Sequence, residues 1–125
     1  MKKRILIVDD DSTQTKVFEK IASQVNVKSY LVSTGLEAIE SLRNHNDIGL
    51  VLLDLALPDI SGLQVLEELK KLNSKVPVAI LSATEDSKIA VRAGQLGAID
   101  FFVKGKKTDL MRLFEFISET ISSNN

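Results

Sequence analysis

The chain contains no cysteine. Without thiols there is no disulfide framework, no thiolate nucleophile and no cysteine metal site. Proline and glycine are sparse, at 2 and 6 residues, and no linker, repeat or low-complexity segment interrupts the chain. Long apolar runs are also missing. The longest, Ile48 to Leu53, includes Gly49 and falls far short of the roughly 20 residues that span a bilayer. The basic start, Met1-Lys2-Lys3-Arg4, is followed by only Ile5 to Val8 before Asp9-Asp10-Asp11, which does not match a secretory leader. Nor is there an excess of either charge. Sixteen Lys and Arg against 17 Asp and Glu leave a net charge of −1, whereas neutralising nucleic-acid phosphates requires a basic surface. A soluble, cytoplasmic chain is expected, with neither nucleic acid nor membrane as its direct partner. What is present is ordinary in amount: 125 residues, 44% hydrophobic and 26% charged, which suits one domain over residues 1–125.

Short β-rich runs alternate with longer stretches of helical period. Ile5-Leu6-Ile7-Val8 is continuously apolar, as in a strand buried on both faces. Ser12 or Thr13 is placed to cap a helix carrying Val17, Phe18, Ile21, Ala22 and Val25. A second strand is expected over Val27 to Val32, then a helix opened by Ser33-Thr34-Gly35 with Leu36, Ile39 and Leu42 on one side. The third strand, Leu50 to Leu53, ends at Asp54. A loop, Leu57 to Gly62, leads to a helix with the stripe Leu63, Leu66, Leu69 and Leu72. Pro77 starts a fourth strand, Val78 to Leu81, and a helix follows from about Asp86 to Leu96. Ile99 to Val103 forms the fifth strand, ending at Lys104. The last helix carries Leu110, Leu113, Phe114, Ile117 and Ile121 on one face, fraying from Ser122. Met111 and Phe116 flank that face, either widening the core side or forming part of a partner surface. Five strands and five helices in alternation imply a doubly wound α/β fold, a five-stranded parallel sheet with helices on both faces.

Four strands stop at polar residues: Asp9 and Asp10, Asp54, Ser82, and Lys104. In a parallel sheet these ends share one edge, where open α/β sheets bind ligands. Three carboxylates crowded together repel unless a cation joins them. Oxygen ligands completed by water and phosphate suit Mg²⁺. A carboxylate is a competent nucleophile toward phosphorus. A metal ion and Lys104 would offset the charge on the transferring phosphoryl oxygens, and Ser82 would donate a hydrogen bond to one of them. The pattern points to a phosphoryl-accepting site.

The segments ILIVDDD, LLDLALPDISG, AILSAT and DFFVKG, in that order, resemble the receiver domain of two-component response regulators, over essentially the whole chain. The resemblance implies a flavodoxin-like sheet of strand order 2-1-3-4-5. It implies Asp54 as phosphoacceptor, with Mg²⁺ held by Asp9, Asp10, Asp54 and the Ala56 backbone carbonyl. Ser82 becomes the hydroxyl that moves to the phosphoryl group, with the backbone of Ala83 beside it, Lys104 the charged clamp and Phe101 the aromatic that turns inward. The implied donor is the phosphohistidine of a sensor histidine kinase or histidine phosphotransfer protein. The implied output is a switch in the fourth helix, fifth strand and fifth helix that controls a partner or an output domain, with phosphorylation-dependent homodimerisation through that surface. Such a domain is not an enzyme acting on an external substrate. Two features depart from the pattern: Gly105 stands where proline usually follows the lysine, and Phe101 replaces tyrosine.

Taken singly, these residues are ordinary. An acidic cluster suits a helix start, a serine after a strand suits a cap, and Asp11 fits that bland role. Gly62 relieves a close approach, Pro58 stiffens its loop, and His45 is a solvated loop residue. Two other functions compete. A haloacid-dehalogenase-type phosphatase also uses a strand-end aspartate, but needs a second acid two residues on, where this chain has Ala56. A degenerate receiver acting as a constitutive binding module would ordinarily lose an acidic residue or the lysine, and this chain keeps them.

Overall fold

A computed structural model describes residues 3–123. The strands are β1 (Arg4–Val8), β2 (Ser29–Val32), β3 (Ile48–Asp54), β4 (Val78–Ser82) and β5 (Asp100–Val103). The helices are α1 (Ser12–Gln24), α2 (Gly35–Asn44), α3 (Gly62–Lys71), α4 (Ser87–Gln95) and α5 (Lys107–Ser123). All pairings are parallel and the order is β2-β1-β3-β4-β5, as the resemblance implied.

Each central strand is apolar along its length because both its faces are covered. On one face Ile5, Ile7, Leu50, Leu52, Leu81 and Phe102 pack against Phe18 and Ala22 of α1 and Leu113, Ile117 and Ile121 of α5. On the other, Leu6, Val8, Val51, Leu53 and Ile80 meet Ala38 and Ile39 of α2, Val65, Leu66 and Leu69 of α3, and Ala93 of α4. Successive residues of a strand point to opposite faces, so Ile5 and Leu6 serve different layers. β3 is the central strand, and the buried carboxylates, Asp9 just after β1 and Asp54 at the end of β3, lie at the sheet's C-terminal edge.

Several local expectations need correction. The α1 cap is Asp11, whose carboxylate accepts from the N–H groups of Thr13 and Gln14, rather than Ser12 or Thr13. An aspartate immediately before the helix reaches two free amides at once. β2 begins at Ser29 and β5 at Asp100, so Val27 and Ile99 lie outside the strands, although Val27 is still buried. The apolar stripes read from helical spacing were too generous. Leu36, Leu72, Val17 and Phe114 are exposed, while Val65 occupies the inward position on α3. On α5 Phe116 meets the edge of Phe102, ring centroids 5.2 Å apart, and Met111 is 67% exposed. α5 remains helical through Ser123; the expected fraying at residues 124 and 125 lies outside the described residues. His45 is exposed, but its ring stacks on Tyr30 at 4.3 Å. Among the described residues, no helix is long and apolar enough to cross a membrane.

The β3–α3 loop is tied to a distant element. Asp59 Oδ1 accepts from Gly35 N–H and Oδ2 from Leu36 N–H, each at 2.9 Å. Thr34 Oγ1 accepts a third free amide of α2, that of Glu37, at 3.1 Å. The Leu36 amide, foremost among those of Leu36 and Gly35, holds the Asp59 carboxyl below its ordinary value of 3.8. A depressed carboxyl contributes stability above its unfolded value and loses it as pH falls through the folded one. The stability difference between wild type and Asp59→Asn should therefore be full at neutral pH and shrink below pH 3.8, as urea unfolding across the acid range would show. A difference growing with acidification would contradict it.

Candidate functional site

Three strand ends bring charge to one crevice. Asp9 follows the last residue of β1 and is 2% exposed. Asp54 ends β3, 5% exposed, and sits in register with Leu81 of β4. Lys104 follows β5, its amide donating to the Ser82 carbonyl at 2.7 Å. The Lys104 ammonium lies 2.7 Å from Asp9 Oδ2 and 3.0 Å from Asp54 Oδ2. The other oxygens are held by backbone: Asp9 Oδ1 accepts from Asp11 N–H at 3.0 Å, and Asp54 Oδ1 from Ala56 N–H at 3.1 Å. Asp10 is exposed beside them, and one carboxylate oxygen from each of Asp9, Asp10 and Asp54 lies within 4.8 Å of the others.

Burial pushes the Asp54 carboxyl up, with the Asp9 charge adding a little, against the downward pull of Lys104 and the Ala56 amide. For Lys104, burial alone would lower the ammonium's pKa, but its contacts with Asp9 and Asp54 outweigh it and the value is raised. One ammonium thus faces two buried carboxylates, with the exposed Asp10 beside them. Asp9 Oδ2 is wholly enclosed, and the Lys104 ammonium 2.7 Å away is its partner. An oxygen so placed, in an all-carboxylate donor set, fits a hard divalent cation such as Mg²⁺.

The remaining sequence-predicted residues lie on β4, on β5 and in the loops that follow β3 and β4. Ser82, the last residue of β4, is buried, and its Oγ accepts from Thr84 N–H at 3.2 Å. Ala83 follows it into the exposed loop, and Ala56 is likewise exposed. Phe101 is half-buried against the layer of α2, α3 and α4, whereas Phe102 is the core residue of the adjacent pair. The Lys104–Gly105 peptide is trans, and Gly105 takes φ +78° with open space around its missing side chain. Glycine adopts this left-handed backbone without the Cβ penalty, so Lys104 reaches both carboxylates without the proline.

Gly62 lies directly against the backbone of Asp54. A Cβ there would sit 2.6 Å from the Asp54 carbonyl and 2.8 Å from Leu55 Cα, because α3 begins directly against the end of β3. Its amide donates to the Leu55 carbonyl at 3.0 Å. Backbone cannot yield as a side chain can, so Gly62→Ala should cost about 1–3 kcal/mol and displace Asp54. Equilibrium unfolding checks the first, and a weakened site at full folding the second. Wild-type stability and Mg²⁺ affinity would show that the approach is not tight.

Sequence reasoning missed Asp59. Its partners lie 24 and 23 residues away, and only a carboxylate after Pro58 in the loop hinted at a role.

The sequence matches the family described as the response regulator receiver domain over residues 5–115. It is 35% identical over 107 residues to the luminescence regulatory protein LuxO of Vibrio campbellii, covering 86% of this chain and 23% of that protein. It is 32% identical over 115 residues to the Regulator of RpoS of Escherichia coli K12, covering 92% of this chain and 34% of that one. The chain thus spans between about a quarter and a third of the length of these relatives. Among solved structures, the signal receiver domain of a LuxO repressor protein from Vibrio parahaemolyticus superposes with a TM-score of 0.88 at 27% identity, covering 98% of this chain and 92% of that one. With a match over nearly its whole length, a shared sheet order and an acidic crevice that can hold a metal, this chain belongs to the receiver domains of two-component response regulators.

Proposed function

We propose that Asp54 accepts a phosphoryl group in a Mg²⁺-dependent site formed by Asp9, Asp10, Asp54 and the Ala56 carbonyl, and that this chain acts as a switch in a phosphorelay. One observation carries the reading: a buried carboxylate at the end of β3 shares a lysine with a second buried carboxylate, and with Asp10 the two bring three carboxylate oxygens within 4.8 Å of one another. An Asp54 carboxylate oxygen attacks phosphorus, and the bond to the donor's imidazole nitrogen breaks with its electron pair staying on nitrogen. The product is an acyl phosphate on Asp54. Bound Mg²⁺ supplies positive charge for the phosphoryl oxygens.

The chain's own residues do the rest. Lys104 already lies between Asp9 and Asp54 and can follow the charge from carboxylate to phosphoryl oxygen. Ser82 Oγ accepts a backbone N–H in the structure; turning its hydroxyl to the phosphoryl group would draw the loop of Ala83 and Thr84 inward. Space beside β4 would then admit Phe101, which is half-buried and has no hydroxyl to satisfy. The two states would differ at α4, β5 and α5, where Val91 of α4, Ile99 just before β5 and Met111 of α5 are exposed. That surface would control a partner or output domain, or a second copy of the chain. The donor would be a sensor histidine kinase or a histidine phosphotransfer protein, met by this chain in the cytoplasm. Ala56, where the phosphatase alternative requires an acid, supports a phosphoacceptor over an enzyme that turns over external esters.

The test is chemical. After acetyl phosphate and Mg²⁺, the adduct should be base-labile, and borohydride should convert residue 54 to homoserine, as peptide mass mapping would show. Label elsewhere, or a bond stable in base, would sink the assignment.

A further inference from the structure

Helix α2 and the β3–α3 loop are joined at one point by side-chain hydrogen bonds, and the join is bidentate. Both oxygens of Asp59 take free amides at the α2 N-terminus, Gly35 and Leu36, each at 2.9 Å. Packing backs the join: a Cβ at Gly35 would fall 2.6 Å from Ile60 Cγ1 and 2.8 Å from Val65 Cγ2, so the loop lies close against α2 there. The near end of the same loop is fixed by Ala56 N–H on Asp54 Oδ1 and the far end by Gly62 N–H on the Leu55 carbonyl. Between these ends Leu57 to Ser61 is anchored to the fold by Asp59. Three residues before Asp59 is Ala56, whose carbonyl the proposed function assigns to the metal.

We propose that Asp59 is a positioning residue for the cation site: it fixes the β3–α3 loop to α2 and thereby holds the Ala56 carbonyl where Mg²⁺ needs it. This rests on the metal site proposed above. Asp59 neither touches the cation nor reacts. Charge-assisted bonds to helix amides are stronger than neutral ones, and the N-terminal end of a helix favours a carboxylate, so the anchor is stiff. Loss of a residue that orients a ligand weakens metal binding without removing the ligand. The chemical step at saturating metal should then be unaffected, because Asp54 and Lys104 keep their own contacts.

The experiment compares wild type, Asp59→Ala, Asp59→Asn and Thr34→Ala. Thr34→Ala removes the other side-chain cap of α2 without touching the loop, and so controls for loss of helix stability. Mg²⁺ binding is measured by calorimetry, and amide exchange over residues 55–62 is followed without metal. Asp59→Ala should bind Mg²⁺ about tenfold more weakly, with faster loop exchange and an unchanged plateau rate of phosphorylation at high Mg²⁺. Asp59→Asn, which retains one acceptor, should fall between. Thr34→Ala should bind as wild type does. Wild-type Mg²⁺ affinity in Asp59→Ala, or equal weakening in Thr34→Ala, would overturn the proposal while leaving the phosphoacceptor reading intact. Wild type showing no saturable Mg²⁺ binding would overturn both.

Discussion

Asp54→Asn should leave a folded chain that takes up no phosphoryl group. The amide keeps the shape of the carboxylate and can still accept the Ala56 N–H, but its oxygen is a poor nucleophile and carries no charge for a cation. The same change removes one of two buried carboxylates that share a single ammonium. Burial already raises the Asp54 pKa, so its ionised form costs the metal-free fold free energy at neutral pH. A carboxyl raised in the folded state makes stability fall as pH rises above the unfolded value of 3.8. In metal-free buffer the variant should therefore be at least as stable as wild type at pH 7, with a flatter pH dependence above pH 4. Urea unfolding checks stability, and amide chemical shifts of α4, β5 and α5 before and after acetyl phosphate check switching. Shifts of wild-type size in the variant would place the acceptor elsewhere.

Lys104→Ala has the second largest expected effect, and it separates stability from chemistry. Removing the ammonium leaves Asp9 and Asp54 facing each other in the interior, with side-chain exposures of 0% and 7%. Breaking a buried ion pair from one side costs about 3 kcal/mol or more; because Asp54 can take a proton, the lower end is expected in metal-free buffer at neutral pH. A bound divalent cation offsets that loss, so stability should recover steeply with Mg²⁺, more steeply than in wild type. Phosphoryl uptake should slow about a hundredfold, the scale for losing one electrostatic partner of a transition state. It should not vanish, because the nucleophile and the metal ligands remain. The phosphorylated variant should also transmit little change to α5. Unfolding midpoints against Mg²⁺ concentration would settle the stability half. A midpoint indifferent to the lysine would mean that the pair contributes nothing to the fold.

The fold was legible because it is written in two redundant codes. Continuous apolar runs such as Ile5 to Val8 and Leu50 to Leu53 announce strands covered on both faces, and each ends at a polar residue that the sheet then gathers on one rim. Asp9, Asp54, Ser82 and Lys104 could be placed together from sequence because parallel pairing leaves their strand ends no other edge. Less legible were features settled by three-dimensional packing. On α5 the stripe Leu113, Ile117 and Ile121 was read correctly, but which of the flanking Met111 and Phe116 joins it was settled by Phe116 finding the edge of Phe102. Leu36 and Leu72 read as core by type and periodicity, yet each lies at or beside a helix end, away from the layer beneath. Val27 joined the core without joining a strand. The Asp59 anchor was invisible because its partners are backbone amides, which carry no residue identity. Gly105 could be read either way, since sequence states only that a rigid proline is missing. The left-handed turn at that position shows how the lysine arrives without it.

In the proposed function, a cation shared among Asp9, Asp10 and Asp54 makes Asp54 the acceptor. An intact-mass time course with acetyl phosphate across a Mg²⁺ titration tests this most directly. A single phosphoryl adduct is expected, forming at a rate that saturates with Mg²⁺ and absent when the metal is chelated. A rate independent of Mg²⁺, or several adducts growing together, would contradict it.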